Sequence, residues 1–513
     1  MSLPPSSTAS QVPEEIWAQT FLYLPRAALL QVNLAQRMFH RIAHPLVFHD
    51  FDFHPYLTIA GYLITQCPPS GLMIPYEEHI PSLLARLQFW SSPDIAPLVR
   101  TCRVSDWSNE GVGIMIPSNC GVHGWSFQRT EDPYILLTAF FDALPRFTSL
   151  RHLTLNKVHF TQSGFKQLAL LCNLRILEVF LCSVVHGEVV DTGELASLHV
   201  TQFTFRHHAV PEPCVEHWIP LLNPQILTHL DVAYNTAVLS KIQASTSTFP
   251  CVKSLKIMMD LCLPTWTRML SKFPAIEVLD ISRLRLDSDD GVGEPHAPLR
   301  DLLLALREYT GPEELLQFLV PIPTLRRVSV PAWSARSFDD IIQFETVTST
   351  ANNVSSLHAE IGDLDTDELY FAAVCSMCSV FPRLTELHVK ISENALFKPD
   401  EFLKELEQEL PLPARLQKLA LHWQYPDREL VADVDFGPPD LNSVKDALVA
   451  EYPDLKMIWV EGSGIMYLWR KERGVLQHTF EEEALEDVAQ IRREEFSRLW
   501  DACVISPSNA KNQ

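Results

Sequence analysis

One apolar triplet organises most of this chain: a hydrophobic residue, another three positions later, and a third two beyond that, recurring from Leu150 onward. The series begins Leu150-Leu153-Leu155, Leu174-Leu177-Val179, Val200-Phe203-Phe205, Leu227-Leu230-Val232, Val252-Leu255-Ile257, Ile276-Leu279-Ile281 and Leu299-Leu302-Leu304. It continues through Leu325-Val328-Val330, Val354-Leu357-Ala359, Leu384-Leu387-Val389 and Leu416-Leu419-Leu421 to Leu455-Ile458-Val460. The first seven steps span 23 to 27 residues and the last four 29 to 39, so the later units carry longer connections. The last two members of each triplet share a face of a short strand. Phe249-Pro250, Phe273-Pro274, Phe381-Pro382 and Tyr452-Pro453 stop a helix just before the strand begins. Each unit thus reads helix, proline turn, strand, and buries its apolar face only by stacking on its neighbours. The pattern predicts an α/β fold, a curved solenoid with parallel strands inside and helices outside.

A different pattern occupies Val12 to Phe48. Pro13 suits a first helical turn, and Glu14 and Glu15 complement its positive end. Ile16, Phe21 and Leu24 supply apolar positions until Pro25 breaks the segment. A second helical run sets Leu30, Leu34, Met38 and Ile42 at steps of four, widened by Leu29 and Phe39, and Pro45 is expected to end it. So small a unit leaves part of this apolar surface for another protein to cover.

These residues resemble an F-box, the three-helix module that docks on the Skp adaptor of cullin-based ubiquitin ligases. Val12-Pro13-Glu14-Glu15-Ile16 is similar to the family's opening Leu-Pro-x-Glu-Ile, and Phe21 to Leu24 to its Ile-Phe-x-x-Leu. Leu29-Leu30 resembles its Leu-Leu pair, and Arg37-x-Phe39-x-x-Ile42-Ala43 its closing motif. Thr20 stands where an aliphatic residue is usual, and Leu34-Ala35 replaces Val-Cys or Val-Ser. The resemblance implies adaptor contacts from Pro13, Ile16, Phe21, Leu24, Leu29, Leu30 and Phe39, some of which must also serve the module's own core. The remainder resembles the leucine-rich-repeat tails behind F-boxes, especially the divergent kind in fungal proteins. The polar residue that closes such a strand is visible at Cys182 and Asn235.

The expected organisation is a disordered start (1–11), the F-box-like module (12–50), and a linker with one or more degenerate repeats and an insertion (51–146). The solenoid (147–465), a capping region (466–503) and a disordered tail (504–513) follow. Val99-Cys102-Val104 reads as a degenerate opening repeat, 107–128 as a long loop, and Glu481 to Leu499 as an acidic amphipathic capping helix.

Of 513 residues, 41 are basic and 63 acidic, a net charge of −22 that disfavours holding a phosphate backbone. No apolar run is long enough to cross a bilayer. The eleven cysteines are scattered, as in a reducing compartment. The composition therefore points to cytoplasm or nucleus, with neither nucleic acid nor membrane as partner.

Cys375-Ser376-Met377-Cys378 has the spacing of a zinc half-site or redox pair, but no second ligand pair accompanies it, and packing is the expected role. No phosphate-binding loop or nucleophile elbow occurs. The reading is a protein without catalytic residues, cofactor or metal. Function is expected on the inner sheet face, whose central column runs Thr154, Glu178, Thr204, Asp231, Lys256, Asp280, Leu303, Ser329, His358, His388, Ala420 and Trp459. Within it Glu178, Asp231, Lys256, Asp280, His358, His388 and Trp459 are the candidate substrate face. Asp231, Lys256 and Asp280 suggest a charge ladder, and Trp459 an exposed aromatic anchor. The resemblance implies a substrate receptor that binds the Skp adaptor, through it a cullin, and a target protein. A repeat scaffold whose F-box works outside any ligase is the rival, and a thiol enzyme using Cys375 and Cys378 a distant third.

Overall fold

The computed structural model describes residues 12–55, 57–58, 72–73, 80–105, 134–185, 191, 195, 197–206, 217–233, 236–244, 247–258, 263–281, 299–333, 353–362, 367–391, 399–408, 412–423, 440–462 and 465–479. They fall into two compact units divided after Val252.

The first unit opens with three helices, α1 (Glu14–Phe21), α2 (Arg26–Ala35) and α3 (Arg37–Val47). Pro13 and Pro25 flank the starts of α1 and α2 in extended conformations, where a proline sacrifices no helical hydrogen bond. The expected single run from Leu30 to Ile42 is broken at Gln36, whose φ of −159° and ψ of 162° end α2 and start α3. Leu34 is consequently exposed while Ile42 turns inward, so the four-residue stripe does not lie on one face. Pro45 does not end α3, which runs to Val47. A proline in the last turn disturbs few intrahelical bonds, and carrying the helix past it brings Val47 into the core.

Strands follow in chain order: β1 (Asp50–Phe53), β2 (Leu57–Thr58), β3 (Leu72–Met73), β4 (Thr101–Val104), β5 (His152–Asn156), β6 (His159–Phe160), β7 (Ile176–Phe180), β8 (Ser183–Val184), β9 (Gln202–Arg206) and β10 (His229–Ala233). The main sheet of this unit runs β1-β4-β5-β7-β9-β10, every neighbour parallel. The parallel array therefore includes β1 and β4, ahead of the regular repeats, and the degenerate triplet Val99-Cys102-Val104 is buried there. Asp-Phe-Asp-Phe at 50–53 alternates as a half-buried strand should, and Phe48, Phe51 and Phe53 stand at the triplet spacing with phenylalanine at all three positions. β6 and β8 pair as a small parallel sheet of their own, and β2 with β3 as an antiparallel one.

The second unit holds β11 (Ser254–Met258), β12 (Val278–Ile281), β13 (Glu308–Thr310), β14 (Arg327–Trp333), β15 (Ser356–Ile361), β16 (Glu386–Ile391), β17 (Lys418–Trp423), β18 (Met457–Gly462), β19 (Ile465–Arg470) and β20 (Gly474–Thr479). These ten are neighbours in chain order. The pairs from β11 to β18 are parallel, and β18-β19-β20 is an antiparallel meander that ends the sheet. That meander stands where a capping region begins in the sequence reading; the expected helix over 481–499 lies outside the described residues, as do 1–11, 107–128 and 504–513.

One hydrogen-bond device repeats through both units. At each strand start a single carbonyl accepts two successive amides from the next repeat: Arg100 O from Arg151 N and His152 N at 2.8 and 3.0 Å, then Arg151 O from Arg175 N and Ile176 N at 2.8 and 2.9 Å. Arg326, Ser355, Thr385 and Gln417 do the same in the second unit. This fixes register from repeat to repeat, and the triplet residues then fill the interior; Leu150, Leu153 and Leu155, for example, are all buried. Helices of neighbouring repeats pack on one another, as Ile80–Trp90 on Ile135–Ala143 and that on Gln162–Ala169. Each unit is thus an α/β array of the leucine-rich-repeat type.

One triplet was misplaced. Leu299 and Leu302 belong to a short helix and Leu304 is exposed; the strand comes later, with Leu306 and Tyr309 in the core. An apolar pair three apart suits a helix as well as this turn-and-strand pattern, so spacing alone mistook one for the other.

Candidate interaction surfaces

In the N-terminal module Phe21, Leu29, Ala43 and Val47 form the interior, with Trp17, Leu24, Val32, Phe39, Ile42, Leu46 and Phe48 packed against them. Trp17, Phe21 and Phe39 make a ring cluster with centroids 5.0–5.8 Å apart. An Arg41–Glu14 ion pair joins α3 to α1. Thr20 donates its hydroxyl to the Ile16 carbonyl at 2.8 Å, so the unusual threonine satisfies itself on its own helix. With the interior filled, large apolar side chains remain outside: Ile16 is 54%, Leu22 63%, Tyr23 86%, Leu30 45% and Leu34 81% exposed.

The seven expected adaptor contacts divide accordingly. Phe21 and Leu29 are interior residues and offer nothing to a partner; Leu24 and Phe39 are half-buried against them. Pro13, Ile16 and Leu30 are exposed. Leu22, Tyr23 and Leu34 were not singled out beforehand as contacts.

The strand register aligns most of the expected central column across neighbouring strands. In the first unit Arg103, Thr154, Glu178, Thr204 and Asp231 stand opposite one another across successive strands. Thr154 donates its hydroxyl to Glu178 at 2.8 Å and His152 Nε2 lies 3.3 Å from the same carboxylate. The His152 hydrogen bond, helped by Thr154 and the nearby Arg206 charge, holds the Glu178 carboxyl below the usual carboxylate range. Asp231 is bound by Arg206 at 2.8 Å. This face is polar, partly exposed and internally paired.

In the second unit Lys256 pairs with Asp280 at 2.6 Å, so that pair of the proposed ladder forms. Register places Thr310, not Leu303, beside Asp280, and Leu303 is buried. From Ser329 onward the column is interior: Ser329 0%, His358 0%, His388 5%, Ala420 0% and Trp459 0% exposed. His358, His388 and Trp459 are therefore not on an open face. Trp459 packs with Ala420, Met457, Met466 and Leu468, and its indole donates to Glu461 at 3.1 Å. The antiparallel β19 supplies Met466 and Leu468, which no triplet spacing announced. The His358 and His388 rings stack at 4.3 Å, and Ser329 Oγ lies 3.0 Å from His358 Nδ1. Burial, aided by the Lys390 charge, lowers the His358 pKa to about 4.

Cys375 and Cys378 lie on the helix Asp367–Val380; Cys378 is buried, and burial pushes its thiol far up from the reactive range. Among the described residues no group of three or more His, Cys, Asp or Glu side chains is placed to hold a metal ion, and no helix is long and apolar enough to cross a membrane. Cys182 closes its strand as expected: its thiol donates to the Leu155 carbonyl at 3.4 Å and its sulfur accepts from Val158 N at 3.4 Å. Asn235 lies outside the described residues.

No protein-family model matches the chain, and no curated protein does. Similar solved structures include a leucine-rich-repeat protein, LegL7, from Legionella pneumophila, 13% identical, covering 77% of this chain and 90% of that one with a TM-score of 0.27. An internalin, InlF, from Listeria monocytogenes is 11% identical over 63% of this chain and 78% of its own, TM-score 0.25. TLR13, solved in a complex with an RNA named ssRNA13, is 14% identical over 56% of this chain, TM-score 0.26, and only 45% of its own length is spanned. At such scores the assignment of the α/β leucine-rich-repeat architecture rests on this chain's own parallel register and repeating core.

Proposed function

We propose that this protein is a substrate receptor of a Skp–cullin–F-box ubiquitin ligase, in which α1–α3 hold the Skp adaptor and the repeat array holds a target protein. The observation that supports this reading is the surplus of exposed apolar side chains, Ile16, Leu22, Tyr23, Leu30 and Leu34, on a small module whose interior is already complete. Covering what remains exposed is worth at most roughly 1.5–3 kcal/mol per side chain, so a partner helix or groove gains by covering several together, against the cost of association. The receptor itself makes and breaks no bonds. Its contribution is proximity, raising the local concentration of target beside the ubiquitin-charged enzyme.

The test is co-purification of adaptor and cullin with the tagged full chain. Ile16→Asp combined with Leu30→Asp should abolish adaptor capture while circular dichroism and thermal melting stay unchanged, because neither residue belongs to the module's interior. Unaltered capture would refute the assignment. Adaptor without cullin would favour a repeat scaffold working outside a ligase.

A further inference from the structure

The residue just before each strand occupies a single column along one rim of the sheet. In the first unit this column reads His49, Arg100, Arg151, Arg175, Thr201, Thr228, with consecutive members joined through the doubly accepting carbonyls. In the second unit it begins Lys253, Glu277, Arg307, Arg326. The second unit neutralises or employs its cations. Glu277 binds Lys253 at 2.9 Å and Arg307 at 3.8 Å, and these partners hold its carboxyl below the usual range. Arg326 donates Nη1 to the carbonyls of Pro323, Leu325 and Asn353 at 3.0–3.3 Å, bracing one turn against the next. Arg175 repeats that brace in the first unit, through Cys172, Leu174 and His199, each at 3.2 Å.

Arg100 and Arg151 do neither. They are exposed neighbours on adjacent strands about 4.8 Å apart, and among the described residues neither has an ion-pair partner or a carbonyl to brace. The carboxylates nearest in register are occupied: Asp50 by His49 at 2.7 Å and Glu178 by His152 and Thr154. Like charges set side by side on a sheet are unfavourable unless something neutralises them. With Arg175 next in line, three arginines follow one another along this rim of a protein of net charge −22.

We infer that Arg100, Arg151 and Arg175 are a docking row for an extended acidic segment, rich in Asp and Glu, of a partner protein. Guanidinium groups match carboxylates with paired hydrogen bonds, and a row along one rim suits an extended chain that presents its acids in sequence. A nucleic acid has the right sign, but it carries a charge at every nucleotide and a protein of net charge −22 repels each one that extends past the row, whereas a peptide can confine its carboxylates to the few positions that meet the arginines. The proposal deepens the reading of the repeat array as the target-binding part and does not depend on the adaptor assignment.

The test is fluorescence anisotropy with the full-length chain and a labelled decapeptide of alternating Glu and Ser, its Gln-for-Glu counterpart, and a ten-nucleotide oligo-dT. The acidic peptide should bind saturably, weaken as salt is raised, and lose at least tenfold in affinity in Arg100→Glu/Arg151→Glu; Arg100→Gln/Arg151→Gln should fall between. Arg473→Glu, an exposed arginine in the β19–β20 turn, should leave binding unchanged. Absence of saturable binding, equal binding by the double Glu variant, equal binding of the Gln peptide, or tighter binding of oligo-dT would each overturn the proposal. Adaptor capture, measured on the same preparations, reports separately on the ligase reading: Ile16→Asp/Leu30→Asp should lose the adaptor and keep the peptide, and the arginine variants the reverse.

Discussion

Gly462 shows how narrowly one residue can be constrained. A Cβ added there would collide with the indole of Trp423, which is itself 5% exposed and has nowhere to retreat. Gly462→Ala should therefore destabilise the second unit by roughly 1–3 kcal/mol, read as a lower denaturant midpoint. His358 is constrained by charge. Its pKa of about 4 lies below the unfolded value of 6.5, so as pH falls the unfolded chain takes up the proton first and acid favours unfolding. The contribution, on the order of 3 kcal/mol, is complete above pH 6.5 and is lost as pH falls to about 4. Denaturant titrations between pH 7 and pH 4 should show that loss in the wild type and a flatter dependence in His358→Gln.

At the scale of elements, α1–α3 separate neighbouring residues into opposite roles. Leu29 is 7% exposed and Leu30 45%, although both belong to the same paired-leucine motif. Leu29→Ala should cost roughly 2–5 kcal/mol of module stability, seen as early loss of helical signal on heating. Leu30→Ala should leave the melt almost unchanged and weaken only the association with a partner. A melt equally sensitive to both would show that the module's interior is drawn wrongly. The β18-β19-β20 meander plays a comparable part at the far end, since it converts a parallel array into an antiparallel edge and contributes Met466 and Leu468 to the cluster around Trp459.

For the molecule as a whole, that closing cluster is what an array needs at its end, because a terminal repeat otherwise exposes apolar surface with no neighbour to cover it. Leu468→Asp should open the cluster, shift tryptophan emission to longer wavelength, raise binding of a hydrophobic dye and promote aggregation. The wild-type spectrum in the variant would remove the meander from this role. The two sheet faces also differ in what they leave for binding: the first unit keeps a polar, partly exposed column, while the second is interior from Ser329 to Trp459. On the proposed reading, target recognition by the repeat array is accordingly expected on the first unit's face and rim.

What the sequence determined by itself is whatever depends on spacing along one chain. The triplets located every strand of the array from β5 to β18 except β13, because burial of alternate residues leaves a periodic trace whichever neighbours do the burying. The N-terminal helices and their apolar surplus were legible for the same reason. The tertiary structure alone decided which of those residues stay exposed. Leu29 and Leu30 are indistinguishable in type, and only the packing of α3 against α2 assigns them. Likewise Trp459 sits at the column position that spacing foretold, yet its burial depends on Met466 and Leu468 brought by β19, and the two stacked histidines of the same column are buried as well. That Arg100 and Arg151 have no ion-pair partner among the described residues is of this kind too, since an ion pair is a matter of distance between strands and leaves no mark in the order of residues.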